Sequence, residues 1–108
     1  MGTLSTHVLD TSTGRPAQAL TVALESATGE GLGTGTTDAD GRITSIGPDR
    51  LDAGDYRLRF DTGAWFAATG TRGFYPEVTI AFTVGDADEH YHVPLLLNPF
   101  GYSTYRGS

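Results

Sequence analysis

Along the chain, apolar positions recur at every second residue in short runs, and each run gives way to Gly, Pro, Asp or Thr. A period of two marks a β-strand whose side chains alternate between a buried and a solvated face. LSTHVLD (4–10) alternates and ends in a turn carrying Gly14 and Pro16. LTVALES (20–26) sets Leu20, Val22 and Leu24 against Thr21, Ala23 and Glu25. LGTGTTD (32–38) is Gly-rich and weak, and RITSI (42–46) follows an ADG turn. YRLRF (56–60) alternates against Arg57 and Arg59, and EVTIAFTV (77–84) places Val78, Ile80, Phe82 and Val84 on one face. HYHVPLLL (90–97) and GYSTY (101–105) complete a set of about eight strands, spaced as in a sandwich. Within 61–77, GAWFAA breaks the period and predicts one short helix before a Gly-rich loop. The expected fold class is all-β: a two-sheet antiparallel sandwich with one short helix.

Length sharpens this picture. The 108 residues are read as a single domain, 1–108. A chain of this size buries roughly 65% of the surface it exposes when unfolded, enough for one core and no second lobe. A deep cleft then has to come from loops or from another subunit. The balance of 13 acidic against 7 basic residues, net charge -6, disfavours nucleic acid and anionic membrane as partners. There is no cysteine, hence no disulfide and no thiolate chemistry. The start, MGTLSTHVLD, lacks the basic and apolar regions of a signal peptide, and no apolar run approaches the length of a membrane span. A soluble, cytoplasmic protein is expected.

Few side chains can act as acid, base or nucleophile near neutral pH. His7 lies mid-strand in STHVLD, sharing a face with Ser5 and Leu9; alone it reads as a solvated or hydrogen-bonded strand histidine. His90 and His92 are two apart on one strand and point to the same side. That is a possible metal pair, but no third carboxylate or thiolate ligand stands at close spacing. Arg42 opens a strand after DADG, a fragment of a calcium loop without its distant Glu. No Gly-x-Ser-x-Gly elbow or phosphate-binding loop occurs, so Ser5, Ser103 and Ser108 lack the setting of a nucleophile. Water activated by an imidazole, with an arginine stabilising the anion, is the simpler use of these groups.

Four stretches carry a family likeness: STHVLDTSTGRPA at 5–17, DGR at 40–42, GFYPEV at 73–78 and YHVPLLLNPFGYSTYRGS at 91–108. Together they resemble the 5-hydroxyisourate hydrolases, the transthyretin-like enzymes of urate breakdown, over the whole chain. The resemblance implies the transthyretin sandwich of two four-stranded sheets with a helix after the fifth strand. It implies a homotetramer, a dimer of dimers with active sites in the channel between dimers, and no metal or organic cofactor. The implied catalytic residues are His7, Arg42, His92 and Ser108, with His7, Arg42, Tyr105 and Ser108 at the substrate. The closing Tyr105-Arg106-Gly107-Ser108 would bring the chain end into the site.

The implied reaction opens the six-membered ring of 5-hydroxyisourate to 2-oxo-4-hydroxy-4-carboxy-5-ureidoimidazoline, in purine catabolism. Water attacks the ring amide carbonyl. Either His7 or His92 can be the base, and the other can position water or protonate the departing nitrogen. Arg42 can hold the substrate anion or the oxyanion. Ser108 offers a hydroxyl and a carboxylate, and Arg106 can contact ligand or pair with a carboxylate, the second being favoured. The rival reading is a carrier: transthyretin binds a hydrophobic hormone in the same channel, and fold alone does not decide between them.

Overall fold

The computed structural model describes residues 3–107. The strands, in chain order, are β1 (Leu4–Asp10), β2 (Arg15–Pro16), β3 (Thr21–Ser26), β4 (Gly31–Thr36), β5 (Arg42–Ile43), β6 (Gly54–Phe60), β7 (Val78–Val84), β8 (Tyr91–Asn98) and β9 (Gly101–Thr104). The helix α1 (Thr62–Ala68) follows β6, where GAWFAA predicts it. One sheet runs β2-β1-β8-β9 with β5 also on β1, and the other runs β4-β3-β6-β7.

The alternation seen in the sequence is the alternation of burial. Leu4 and Val8 of β1, Val22 and Leu24 of β3, Leu58 and Phe60 of β6, and Leu95 and Leu97 of β8 are all at most 2% exposed and meet between the sheets. Each such side chain contributes roughly 1.5–3 kcal/mol by leaving water. Thr6 also faces inward, and its hydroxyl donates to the Val93 carbonyl (2.6 Å), so no buried polar atom is left without a partner there. Phe66 of α1 enters the core, while the Trp65 Nε1–H donates to the Gln18 carbonyl (2.8 Å) and fastens the helix to the loop before β3.

Three details depart from the expected plan. The pairings are antiparallel except β1 with β8, which is parallel over its whole length, Leu4 opposite Tyr91 through Asp10 opposite Leu97. Parallel neighbours need a long crossover, and here the entire second sheet and the helix lie in that connection. The first sheet has five strands rather than four, because Arg15 and Pro16 fold back on Asp10 and Leu9. The strand expected over 42–46 shortens to Arg42–Ile43; the chain touches β1 again when the Ile46 N–H donates to the Leu4 carbonyl (2.9 Å), and Gly47, at φ 82°, turns it away. No helix among the described residues is long and apolar enough to cross a membrane.

Candidate active site

The parallel pairing decides what shares the outward face of the first sheet. Because Leu4, Thr6 and Val8 point inward, Ser5 and His7 point out; on β8 the outward residue facing Ser5 is His92. On the other edge of β1, His7 is in register with Arg42 of β5. Arg42, His7 and His92 therefore sit on three adjacent strands of one face. A cleft of about 240 Å³ opens there, walled by Ser5, Arg42, Ile43, Thr44, His90 and His92, with His7 outside its lining.

Arg42 is delivered by the DADG turn. The Asp38 carboxylate accepts the N–H groups of Asp40 (2.9 Å) and Arg42 (3.0 Å), the side-chain turn that makes Asp a favoured turn residue. Gly41 takes φ 74°, and its carbonyl accepts the Val8 N–H (2.7 Å). A Cβ at Gly41 would collide with the Val8 carbonyl, so this close approach of turn to strand requires glycine. The Arg42 guanidinium carries no ion pair among the described residues and is exposed at the cleft.

His92 is half-buried. Its Nδ1 lies 2.8 Å from Ser5 Oγ, which leaves Nε2 without a protein partner among the described residues. Burial, and then the charges of Arg42, His7 and His90, hold its pKa below the ordinary imidazole value, against the opposing pull of the Ser5 backbone. The shift favours the neutral imidazole, with a ring nitrogen directed away from its anchor. His90 and His92 do point to the same side, as their spacing requires, and Ser5 Oγ is also 2.8 Å from His90 Nε2. Among the described residues no group of three or more His, Cys, Asp or Glu gathers there.

The last residues approach the same imidazole from beyond β9. The Gly107 N–H donates to the His92 carbonyl (2.9 Å), and a Cβ at Gly107 would overlap the His92 ring. Arg106 pairs with Glu89 (2.9 Å) and lies over the Tyr91 ring (4.9 Å to its centre), both within the protein. Tyr105 is exposed and lines a second hollow of about 310 Å³, between β7 and the β8–β9 edge, in which His92 is the shared wall. It does not enter the Arg42 cleft. Ser108 lies outside the described residues. The residue that sequence reasoning passed over is Ser5. Its face was legible from the alternation with His7, but its place between two histidines depends on the parallel register.

Residues 4–107 match the HIUase/Transthyretin family. The 5-hydroxyisourate hydrolase of Salmonella typhimurium is 49% identical over 109 residues, covering 97% of this chain and 80% of that protein. The solved structure of Klebsiella pneumoniae 5-hydroxyisourate hydrolase aligns with a TM-score of 0.91 at 48% identity, over 99% of this chain and 100% of that one. Sea bream transthyretin in complex with thyroxine aligns at 0.87 with 32% identity, over 96% and 93% of the two chains. With the match running from β1 to Gly107 and the hydrolases aligned over nearly the whole sandwich, the chain belongs to the HIUase/Transthyretin family and is a hydrolase.

Proposed function

We propose that this protein hydrolyses 5-hydroxyisourate, opening its six-membered ring, with His92 as general base and Arg42 as anion stabiliser. The observation that carries this reading is a half-buried imidazole, its neutral form favoured, and a guanidinium with no ion pair among the described residues, both at one solvent-open cleft. Water bound near His92 Nε2 loses a proton to it and attacks the ring amide carbonyl. Negative charge gathers on the carbonyl oxygen, where the planar, permanently charged fork of Arg42 stabilises it. The C–N bond breaks and the departing nitrogen takes up the proton. His7, next to Arg42 across the β1–β5 pair, orients the water or assists that proton. The product is the ureidoimidazoline carboxylate, a step in urate breakdown. Ser108 remains an expectation at the substrate from the family likeness, as does Tyr105.

A thyroxine-type carrier needs an apolar channel; this cleft sets an arginine and two histidines beside Ile43, with serine and threonine hydroxyls. The reading extends to a homotetramer, a dimer of dimers, in the cytoplasm. Its support is that the cleft is open on one sheet face, as a site completed by another subunit would be, and that Phe100 and Tyr102 are 72% and 43% exposed at the β8–β9 end.

The test is the loss of absorbance of freshly made 5-hydroxyisourate on adding purified protein. His7→Ala and His92→Ala should each stay folded and lose at least ~10²-fold in kcat, the lower bound for removing acid–base catalysis. Near-native turnover by either variant removes that histidine from the mechanism, and absence of turnover by the unaltered protein overturns the reading.

A further inference from the structure

The outward face of the first sheet carries a file of four hydrogen-bonding side chains. Thr3 Oγ1 contacts His90 Nδ1; His90 Nε2 lies 2.8 Å from Ser5 Oγ; Ser5 Oγ lies 2.8 Å from His92 Nδ1. Ser5 is 9% exposed and His90 is exposed, so the file runs from solvent to the candidate base. We propose that Ser5 is a positioning residue that couples the tautomer of His92 to that of His90, and that His90 receives through Ser5 the positive charge His92 gains in the reaction. This rests on reading His92 as the base.

The argument is one of counting protons. A serine hydroxyl has one proton to give and can accept in return. Held between two imidazole nitrogens, it donates to one and accepts from the other, so the two ring tautomers are coupled. In one arrangement Ser5 donates to His90 Nε2 and accepts from His92 Nδ1–H, while His90 Nδ1–H donates to Thr3. Every contact is satisfied and His92 Nε2 carries a lone pair, the form a base needs. In the other arrangement all these bonds reverse: Thr3 donates to His90 Nδ1, His90 Nε2–H donates to Ser5, Ser5 donates to His92 Nδ1, and His92 Nε2 carries a proton, the form an acid needs. A single file thus supports both roles without leaving any member unpaired.

The proton movements balance. His92 Nε2 takes a proton from water, and hydroxide attacks the carbonyl carbon. His92 Nδ1 passes its proton to Ser5 Oγ as Ser5 passes its own to His90 Nε2, so the positive charge now rests on His90. When the C–N bond breaks, His92 Nε2–H gives its proton to the departing nitrogen. His90 returns its Nε2 proton through Ser5 to His92 Nδ1, restoring the starting state. The direction is favourable because a cation is better solvated on the exposed ring than in the half-buried one beside Arg42. Among the described residues, the charged and titratable groups around His92 are His7 on β1, Arg42 on β5, His90 ahead of β8, Tyr91 on β8, and Tyr105 and Arg106 beyond β9. None of the others shares a hydrogen-bonded partner with His92, as His90 does through Ser5.

Two measurements on the full chain test this. The first is the nitrogen chemical shifts of the His92 ring, read by long-range proton–nitrogen correlation without substrate. The unaltered protein should show Nδ1 mainly protonated; Ser5→Ala and His90→Ala should both move His92 toward a mixture of tautomers. The second is steady-state hydrolysis across pH. Ser5→Ala should lower kcat by about tenfold or more, short of the ~10²–10⁴-fold expected for the base itself, with KM nearly unchanged. Ser5→Thr, which keeps the hydroxyl, should recover most of the loss, and His90→Ala should lower kcat by a few-fold and move the pH profile. If Ser5→Ala fails to fold, His90→Ala, at an exposed position, carries both readouts. Unchanged His92 nitrogen shifts in the variants overturn the proposal even if the protein is a hydrolase. Altered shifts in a protein with no activity on 5-hydroxyisourate uphold the tautomer coupling and sink the hydrolase reading. Loss in Ser5→Ala that Ser5→Thr does not repair marks a packing defect and also overturns it.

Discussion

His92 shows how much of a residue's chemistry lies in its neighbours. An imidazole ordinarily titrates at ~6.5; here burial and then the positive charge of Arg42 favour the neutral ring. With His92 as the proposed base, the acid limb of kcat/KM, which reports the free enzyme's base, should therefore lie below the ordinary imidazole value. Arg42→Gln removes one lowering influence, so the limb should move up toward ~6.5 while kcat falls through loss of the oxyanion partner. A limb that stays put in a pH profile of this variant would show that His92 does not feel Arg42. The same shift has a sign for stability. Above the unfolded value both states hold a neutral ring. As pH falls from there toward the lower native value, the unfolded chain binds the proton first and the native state loses stability. His7, Arg42 and His92 were grouped in the sequence only through the family likeness of the motifs that hold them, and the fold brings the three onto one face. Ser5 was not legible, since a serine on an alternating strand looks the same whether it meets water or two histidines.

At the scale of elements, strand period was readable and strand direction was not. YRLRF and EVTIAFTV became β6 and β7 with their alternation intact because the core imposes a period of two on whatever strand covers it. Nothing in that period distinguishes a parallel neighbour from an antiparallel one, so the β1–β8 pair, and with it the pairing of Ser5 with His92, emerges only in three dimensions. The shortening of β5 is likewise set in three dimensions: RITSI alternates, but only Arg42 and Ile43 pair with β1 as strand, and Ile46 returns to it by a single bond before Gly47 turns the chain. Beyond β9, the chain leans its backbone on the His92 ring, which makes Gly107 part of the site's scaffold. Gly107→Ala should displace that ring. We expect a loss of about tenfold to 10²-fold in kcat, the scale of small misplacements of a reacting group, with a melting temperature close to that of the unaltered protein. Steady-state kinetics and calorimetry together check this, and full activity would show that the ring or the terminal segment gives way without consequence.

For the molecule as a whole, the sandwich is built from one shared core and its candidate site lies outside that core. Mutations in the two therefore have separable effects. Leu95→Ala, at a fully buried position, should cost about 2–5 kcal/mol in chemical denaturation, while turnover per folded molecule stays near normal. A drop in both would tie the packing of β8 to the placement of His92. Assembly belongs to this scale too. If another subunit completes the open face, light scattering should give four chains per particle, and dilution into the nanomolar range should lower activity as particles dissociate. A fully active monomer would place the whole site within one chain. Length and pattern foretold the sandwich and its limited capacity for a cleft, because both follow from how much apolar surface such a chain can cover.

Two of the three strands that carry the candidate site, β1 and β8, are near neighbours in space and distant in sequence: Ser5 and His92 are 87 positions apart. Loop-closure entropy makes such a contact costly to form early. The β3–β4 hairpin closes over a short loop, and β6 and β7 pair across the helix-bearing segment 61–77; both can assemble without it. During synthesis β1 emerges first and has no lasting partner for its inner edge until β8 follows. Hydrolytic competence is then a late event in folding, and the return of activity in a refolding experiment is a clock for the closing of the first sheet rather than for collapse of the chain.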